Sequence, residues 1–211
     1  MLSPQELQKL LPTIPRISVS GPWTRALAHK YTVLPPPDSA PGTLPDPLWS
    51  GGAAKRGSRF TPKEGFESIY LAADPITALM EVSFVFQNPN AAPFTMATPP
   101  WVIFAVDGVV TETLDLCDAS IQSTLDTSMQ ELTGDWSYSQ SLYLNNQGSI
   151  PPTQVLGQAA YDSGMITGIR YPSAKQPQSS CLLVFPGRLG MNRQNYLRVY
   201  DPSGFLRGQL P

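Results

Sequence analysis

Residues 51–60 read G-G-A-A-K-R-G-S-R-F, residues 68–72 read S-I-Y-L-A, and residues 74–82 read D-P-I-T-A-L-M-E-V. In that order they predict a loop, a strand and a helix, carrying Arg59, Tyr70 and Glu81. The glycines at 51, 52 and 57 let the loop backbone turn and approach a ligand closely. The short β-rich run carries Tyr70 toward the end of a strand. Asp74 is a good helix N-cap, and Pro75 suits the first helical position. Glu81 then falls in the second turn of a helix that is otherwise almost wholly apolar, with Ile76, Ala78, Leu79, Met80, Val82, Phe84, Val85 and Phe86. A carboxylate in such a setting is costly unless paired or hydrogen-bonded, and that cost marks Glu81 as a functional candidate.

The chain around this stretch is 211 residues long, enough for one domain with decorations. Charged residues make up only 14% of it and the formal net charge is −2, so nothing in its electrostatics argues for direct nucleic-acid binding. Lys55, Arg56 and Arg59 form the one tight basic group before the carboxy-terminal part, and three cations on a Gly-rich loop suit a small anionic ligand. His29 is the single histidine, and Cys117 and Cys181 are the two cysteines. That set supports neither a tetrahedral zinc site nor a disulfide framework, so no metal is expected. Serine–histidine catalysis has no G-x-S-x-G elbow to stand on. Phosphate-binding P-loop and G-x-G-x-x-G patterns are missing as well. The amino terminus lacks the basic and apolar regions of a signal peptide, and no run approaches membrane-span length. The expectation is a cytoplasmic protein with no membrane partner.

Outward from the opening stretch, Ser3 and Glu6 form a capping box for a short helix with an apolar Leu7, Leu10, Leu11 stripe. Residues 23–33 predict a strand, or a strand and its turn, carrying Arg25, His29 and Tyr31. Residues 34–47 are rich in Pro, Asp and Gly and predict an irregular loop. Residues 101–116 carry the clearest β signal, with Asp107-Gly108 suggesting a hairpin or a bulge. A helix is expected over 118–132, a polar loop with short elements over 134–152, and a helix over 153–163. Strands follow at M-I-T-G-I-R-Y, C-L-L-V-F and N-Y-L-R-V-Y-D. Strands with few intervening helices predict a single α+β domain over 22–211, preceded by a helical extension, 1–21, that packs on the body.

The chemistry that remains is a site of arginine, tyrosine and a lone glutamate. Arginine grips phosphate through a planar, permanently charged fork. Tyrosine offers a face to a flat heterocycle. A carboxylate in apolar surroundings can bind ribose hydroxyls and stabilise positive charge growing at an anomeric carbon. Together these suit cleavage of an N-glycosidic bond in a dinucleotide. Trp49, Trp101 and Trp136 are read as core or loop-packing residues.

The G-G-A-A-K-R-G-S-R-F stretch, the Y-L-A strand end and A-L-M-E-V eleven residues after Tyr70 resemble the core of the RES domain family. T-Q-V-L-G-Q-A-A-Y and G-I-R-Y-P-S-A-K resemble its second block, and W-T-R-A-L-A-H-K-Y its opening strand. The resemblance spans about residues 22 to 187. It implies an ADP-ribosyltransferase-like fold, with a mixed, mainly antiparallel β core flanked by short helices. Characterised relatives are toxins of toxin–antitoxin pairs that degrade NAD⁺ as substrate. They are neutralised by an antitoxin with an Xre-type helix-turn-helix domain, in complexes that can contain a toxin homodimer. On the matching positions, Arg25 and Arg59 would hold the pyrophosphate and adjacent ribose, and Tyr70 would stack on nicotinamide. Glu81 would bind the ribose hydroxyls and stabilise the oxocarbenium-like transition state. Ser173 would hydrogen-bond the cofactor or orient Arg or Glu, with Tyr31 and Lys175 as weaker cofactor-binding candidates.

Two positions depart from the family pattern. Ser58 stands where a second glycine is usual, and Thr61 where an asparagine is common. The connections 34–47 and 134–152 resemble insertions. Three functions remain open from the residues: an NAD⁺ glycohydrolase or phosphorylase, a protein mono-ADP-ribosyltransferase, and a catalytically silent module. Leu79, where arginine-directed transferases carry an acid two residues before the glutamate, counts against the second. The joint presence of Arg59, Tyr70 and Glu81 counts against the third.

Overall fold

The computed structural model describes residues 1–82 and 100–211. Phe84, Val85 and Phe86, expected in the Glu81 helix, lie outside the described residues. The architecture is α+β. Its strands are β1 (Ile17–Ser20), β2 (Trp23–Ala28), β3 (Ile69–Ala72), β4 (Trp101–Asp115), β5 (Gly168–Pro172), β6 (Ser180–Val184), β7 (Tyr196–Tyr200) and β8 (Gln209–Leu210). The helices are α1 (Pro4–Leu10), α2 (Lys30–Val33), α3 (Gly51–Arg56), α4 (Pro75–Val82), α5 (Ala119–Thr124), α6 (Met129–Thr133), α7 (Trp136–Leu144), α8 (Pro152–Asp162) and α9 (Pro186–Leu189).

β4 organises the sheet. It pairs with β2 along its first half, with β7 along its middle, with β1 toward its end, and in parallel with β5 over its last three residues. The other pairings are antiparallel. Because β2 also pairs with β3 through Thr24 and Ala72, the strands β2, β3, β6, β5 and β4 close on themselves. The period-2 alternation of a strand then divides the core in two. Ile69, Leu71, Leu182 and Val184 join Phe104, Val106 and Leu197 in one cluster. Ala72, Cys181 and Leu183 face the other way, into a cluster with Leu7 of α1, Leu156 of α8, and Ile169. The strands that carry the site are therefore packed on both faces.

Several local expectations give way. Asp107-Gly108 makes no hairpin; β4 runs through it unbroken. Gly108 serves close approach instead, since a Cβ there would lie 2.6 Å from the Tyr196 carbonyl oxygen. The expected glycine loop is helical over Gly51–Arg56, and it ends at Gly57, whose φ of 78° suits a residue without a side chain. β2 stops at Ala28, and Tyr31 sits on the helical turn α2. The helix expected over 118–132 is two helices, with Asp126 between them at a φ of 50°. The capping box of Ser3 and Glu6 forms as the sequence indicates.

Candidate active site

Asp74 caps α4 as its sequence position demands, accepting from the Thr77 N–H at 2.9 Å and from the Thr77 hydroxyl at 2.6 Å. The Ser179 hydroxyl, from the β5–β6 loop, donates to the same carboxylate at 2.8 Å. These bonds hold the Asp74 carboxyl below the usual carboxylate range, the Thr77 hydroxyl contributing most. Two turns along the helix, Ser173 of the same loop donates to Glu81 Oε1 at 2.5 Å, and the Ala174 N–H donates to that oxygen at 3.0 Å. The loop thus grips α4 at both ends. Ser173 is itself fixed, since its hydroxyl oxygen accepts from the N–H groups of Lys175 and Gln176 at 3.2 and 3.0 Å. Glu81 forms no ion pair with Arg25 or Arg59. Its apolar surroundings are tolerated because donors, not cations, meet it.

Tyr70 is anchored by the neighbouring loop. Its hydroxyl accepts from Ser58 at 2.6 Å and from the Phe60 N–H at 3.1 Å, and shares a proton with Thr61 at 3.1 Å. Thr61 shares another with Ser68 at 2.7 Å. Burial pushes the phenol pKa up. The two residues that depart from the family pattern are the two side chains that fasten Tyr70.

Arg59 is buried and donates through Nη1 to the carbonyls of Leu132 and Gly134, at 2.9 and 2.8 Å. It satisfies carbonyls at the carboxy-terminal end of α6, which a helix leaves without partners. Gln154 of α8 donates to the Ser58 carbonyl at 2.8 Å. α8 comes so close to the loop that a Cβ on Gly157 would lie 1.9 Å from the Phe60 carbonyl oxygen.

Arg25 is only 8% exposed. Its Nη2 donates to the Trp49 carbonyl at 2.9 Å, while Nη1 is buried with no partner among the described residues. Burial lowers its pKa to about 10, against the pull of Asp46. An unsatisfied buried donor is expensive, and such a group in a cleft points to a missing acceptor.

Arg25, Arg59, Tyr70, Glu81 and Tyr31 all line one cavity of about 420 Å³. This lies within the range of small-molecule sites. Lys30 and Arg56 line it too, so four cations face the single carboxylate of Glu81 among the described lining residues. Ser173 stands behind Glu81, and Lys175 is exposed beyond it. Sequence reasoning missed the tryptophans: Trp49, Trp101 and Trp136 all border the cavity. Their places in irregular connections or at element starts hold no periodicity that could have revealed this. Among the described residues, no group of three or more His, Cys, Asp or Glu could hold a metal ion, and no helix is long and apolar enough to cross a membrane.

The family profile of the RES domain matches residues 31–197, a stretch that begins after Arg25. Among solved structures, a chain in the crystal structure of the M. tuberculosis MbcT–MbcA toxin–antitoxin complex superposes with a TM-score of 0.66. It is 19% identical, over 93% of this chain and 90% of that one. At that identity the likeness is one of fold. No curated protein sequence matches the chain.

Proposed function

The chain belongs to the RES domain family, and we propose that it is a toxin that degrades NAD⁺ at the nicotinamide–ribose bond. The observation that carries this reading is Glu81, held by Ser173 and the Ala174 N–H, as the one carboxylate among the described lining residues of a cavity that Arg25, Lys30, Arg56 and Arg59 also border. Arg25 offers its unpartnered Nη1 to the pyrophosphate, with Arg59, Lys30 and Arg56 adding positive charge. Tyr70, and more weakly Tyr31, border the space for the flat bases. The glycosidic C–N bond breaks and its electron pair leaves with nicotinamide. Glu81 stabilises the positive charge that develops on the ribose. Water or inorganic phosphate then adds to the anomeric carbon; with water, the departing proton goes to solvent. Ser173 keeps the carboxylate aimed, so little reorganisation accompanies the charge.

The similar fold in a toxin–antitoxin complex supports a protein partner that neutralises this chain, and a helix-turn-helix antitoxin is proposed for it. The site of action proposed is the cytoplasm, where NAD⁺ is abundant. The test is to incubate purified protein with NAD⁺, with and without phosphate, and to resolve the products chromatographically. Release of free nicotinamide with ADP-ribose, or with its 1-phosphate when phosphate is present, supports the reading and names the acceptor. ADP-ribose recovered only on added cellular protein would replace it with transfer to a protein.

A further inference from the structure

α7 is a helix without a core. None of its residues is buried, and Tyr138 on it is 64% exposed. Burial of an apolar face is what normally holds a helix in place, so something else must hold this one. Polar tethers do so. Asp135 caps its start, accepting from the N–H groups of Ser137 and Tyr138. Gln140 donates to the Arg56 carbonyl at 3.1 Å and accepts from Gln154 at 2.8 Å. Arg59 holds the Leu132 and Gly134 carbonyls, the latter two residues before the first helical residue, Trp136. The half-buried Trp136 is the one residue of α7 that borders the cavity.

We infer that Trp136 is a ligand-contacting residue that stacks on a flat heterocyclic ring of the bound nucleotide, and that Arg59 acts as its positioning residue. This rests on the dinucleotide reading above. An indole carried over a cationic cavity supplies affinity for an aromatic base without taking part in bond cleavage. Arg59 spends its Nη1 on the backbone that carries that indole, so part of its effect reaches the ligand through Trp136.

The experiment is a double-mutant cycle on Trp136→Ala and Arg59→Met, reading KM and kcat for NAD⁺ and the Kd of ADP-ribose. Trp136→Ala is expected to raise KM and Kd by about 5- to 150-fold, the range of base–aromatic stacking, with kcat changed by less than about threefold. Trp136→Phe restores most of the affinity, and Tyr138→Ala, on the outer face of α7, changes nothing. If Arg59 acts through Trp136, the double variant is far less impaired than the product of the two single effects. Effects that multiply overturn the positioning role. Should Arg59→Met fail to fold by circular dichroism, Arg59→Lys serves the same comparison. A wild-type protein that consumes NAD⁺, with Trp136→Ala at unchanged KM and Kd, overturns this inference alone. A folded wild type that neither consumes NAD⁺ nor binds ADP-ribose overturns the functional reading, and this inference with it.

Discussion

The Ser173 hydroxyl donates to Glu81 Oε1 at 2.5 Å, joining residues 92 positions apart in the chain. One partner comes from the loop between β5 and β6, the other from the last turn of α4. The bond is charge-assisted, and Ser173 cannot rotate away, because two backbone N–H groups hold its oxygen. In the proposed reaction this bond would aim the Glu81 carboxylate.

Ser173→Ala should therefore lower kcat for NAD⁺ while leaving KM near its original value. A hydrogen bond to a charged group contributes about 1.5–3 kcal/mol, equivalent to roughly 10- to 150-fold in rate. Steady-state kinetics on the folded variant checks this. A rise in KM at constant kcat would place Ser173 on the ligand instead of behind Glu81.

Arg25 should govern affinity for the pyrophosphate. Arg25→Gln is expected to weaken ADP-ribose binding by about 1.5–3 kcal/mol, the worth of a charged hydrogen bond. The arginine carries its charge below its pKa, which burial lowers to about 10. Binding should therefore hold steady up to about pH 9 and fall as pH rises through 10. Calorimetric titration across that range is the check. An affinity that ignores both the substitution and the pH would leave Arg25 only its Trp49 carbonyl to hold.

Asp74 makes a stability prediction. Its carboxyl is held below its usual value in the folded protein, so the stabilisation is present above the unfolded pKa of about 3.9 and is lost as pH falls through the lower, folded value. Asp74→Ala should cost about 0.5–2 kcal/mol near neutral pH, as replacing a good cap by alanine does. The gap from wild type should narrow in strong acid. Denaturant unfolding at two pH values measures it; a gap that widens in acid contradicts the assignment.

Much of this site was legible in the chain because its parts are local. Asp74, Pro75 and Glu81 announce a capped helix with a costly carboxylate, and the alternation around Tyr70 announces a strand. The partners were not legible, because they are set by packing between distant segments. Nothing near Arg59 in sequence points to the carbonyls of Leu132 and Gly134. Nothing near Tyr70 points to Ser58 and Thr61 as its anchors, and these looked like mere departures from a pattern. Asp107-Gly108 misled for a related reason. The glycine there answers a close neighbour, Tyr196, instead of a turn.

In the proposed reaction Glu81 stabilises charge developing on the ribose of NAD⁺. The direct measurement compares NAD⁺ consumption by wild type and by Glu81→Gln, which keeps the shape and removes the charge. Wild type is expected to release nicotinamide, and the variant to bind ADP-ribose but turn over at least ~100-fold more slowly, about 2.7 kcal/mol of transition-state stabilisation. Equal turnover by the two proteins would contradict it.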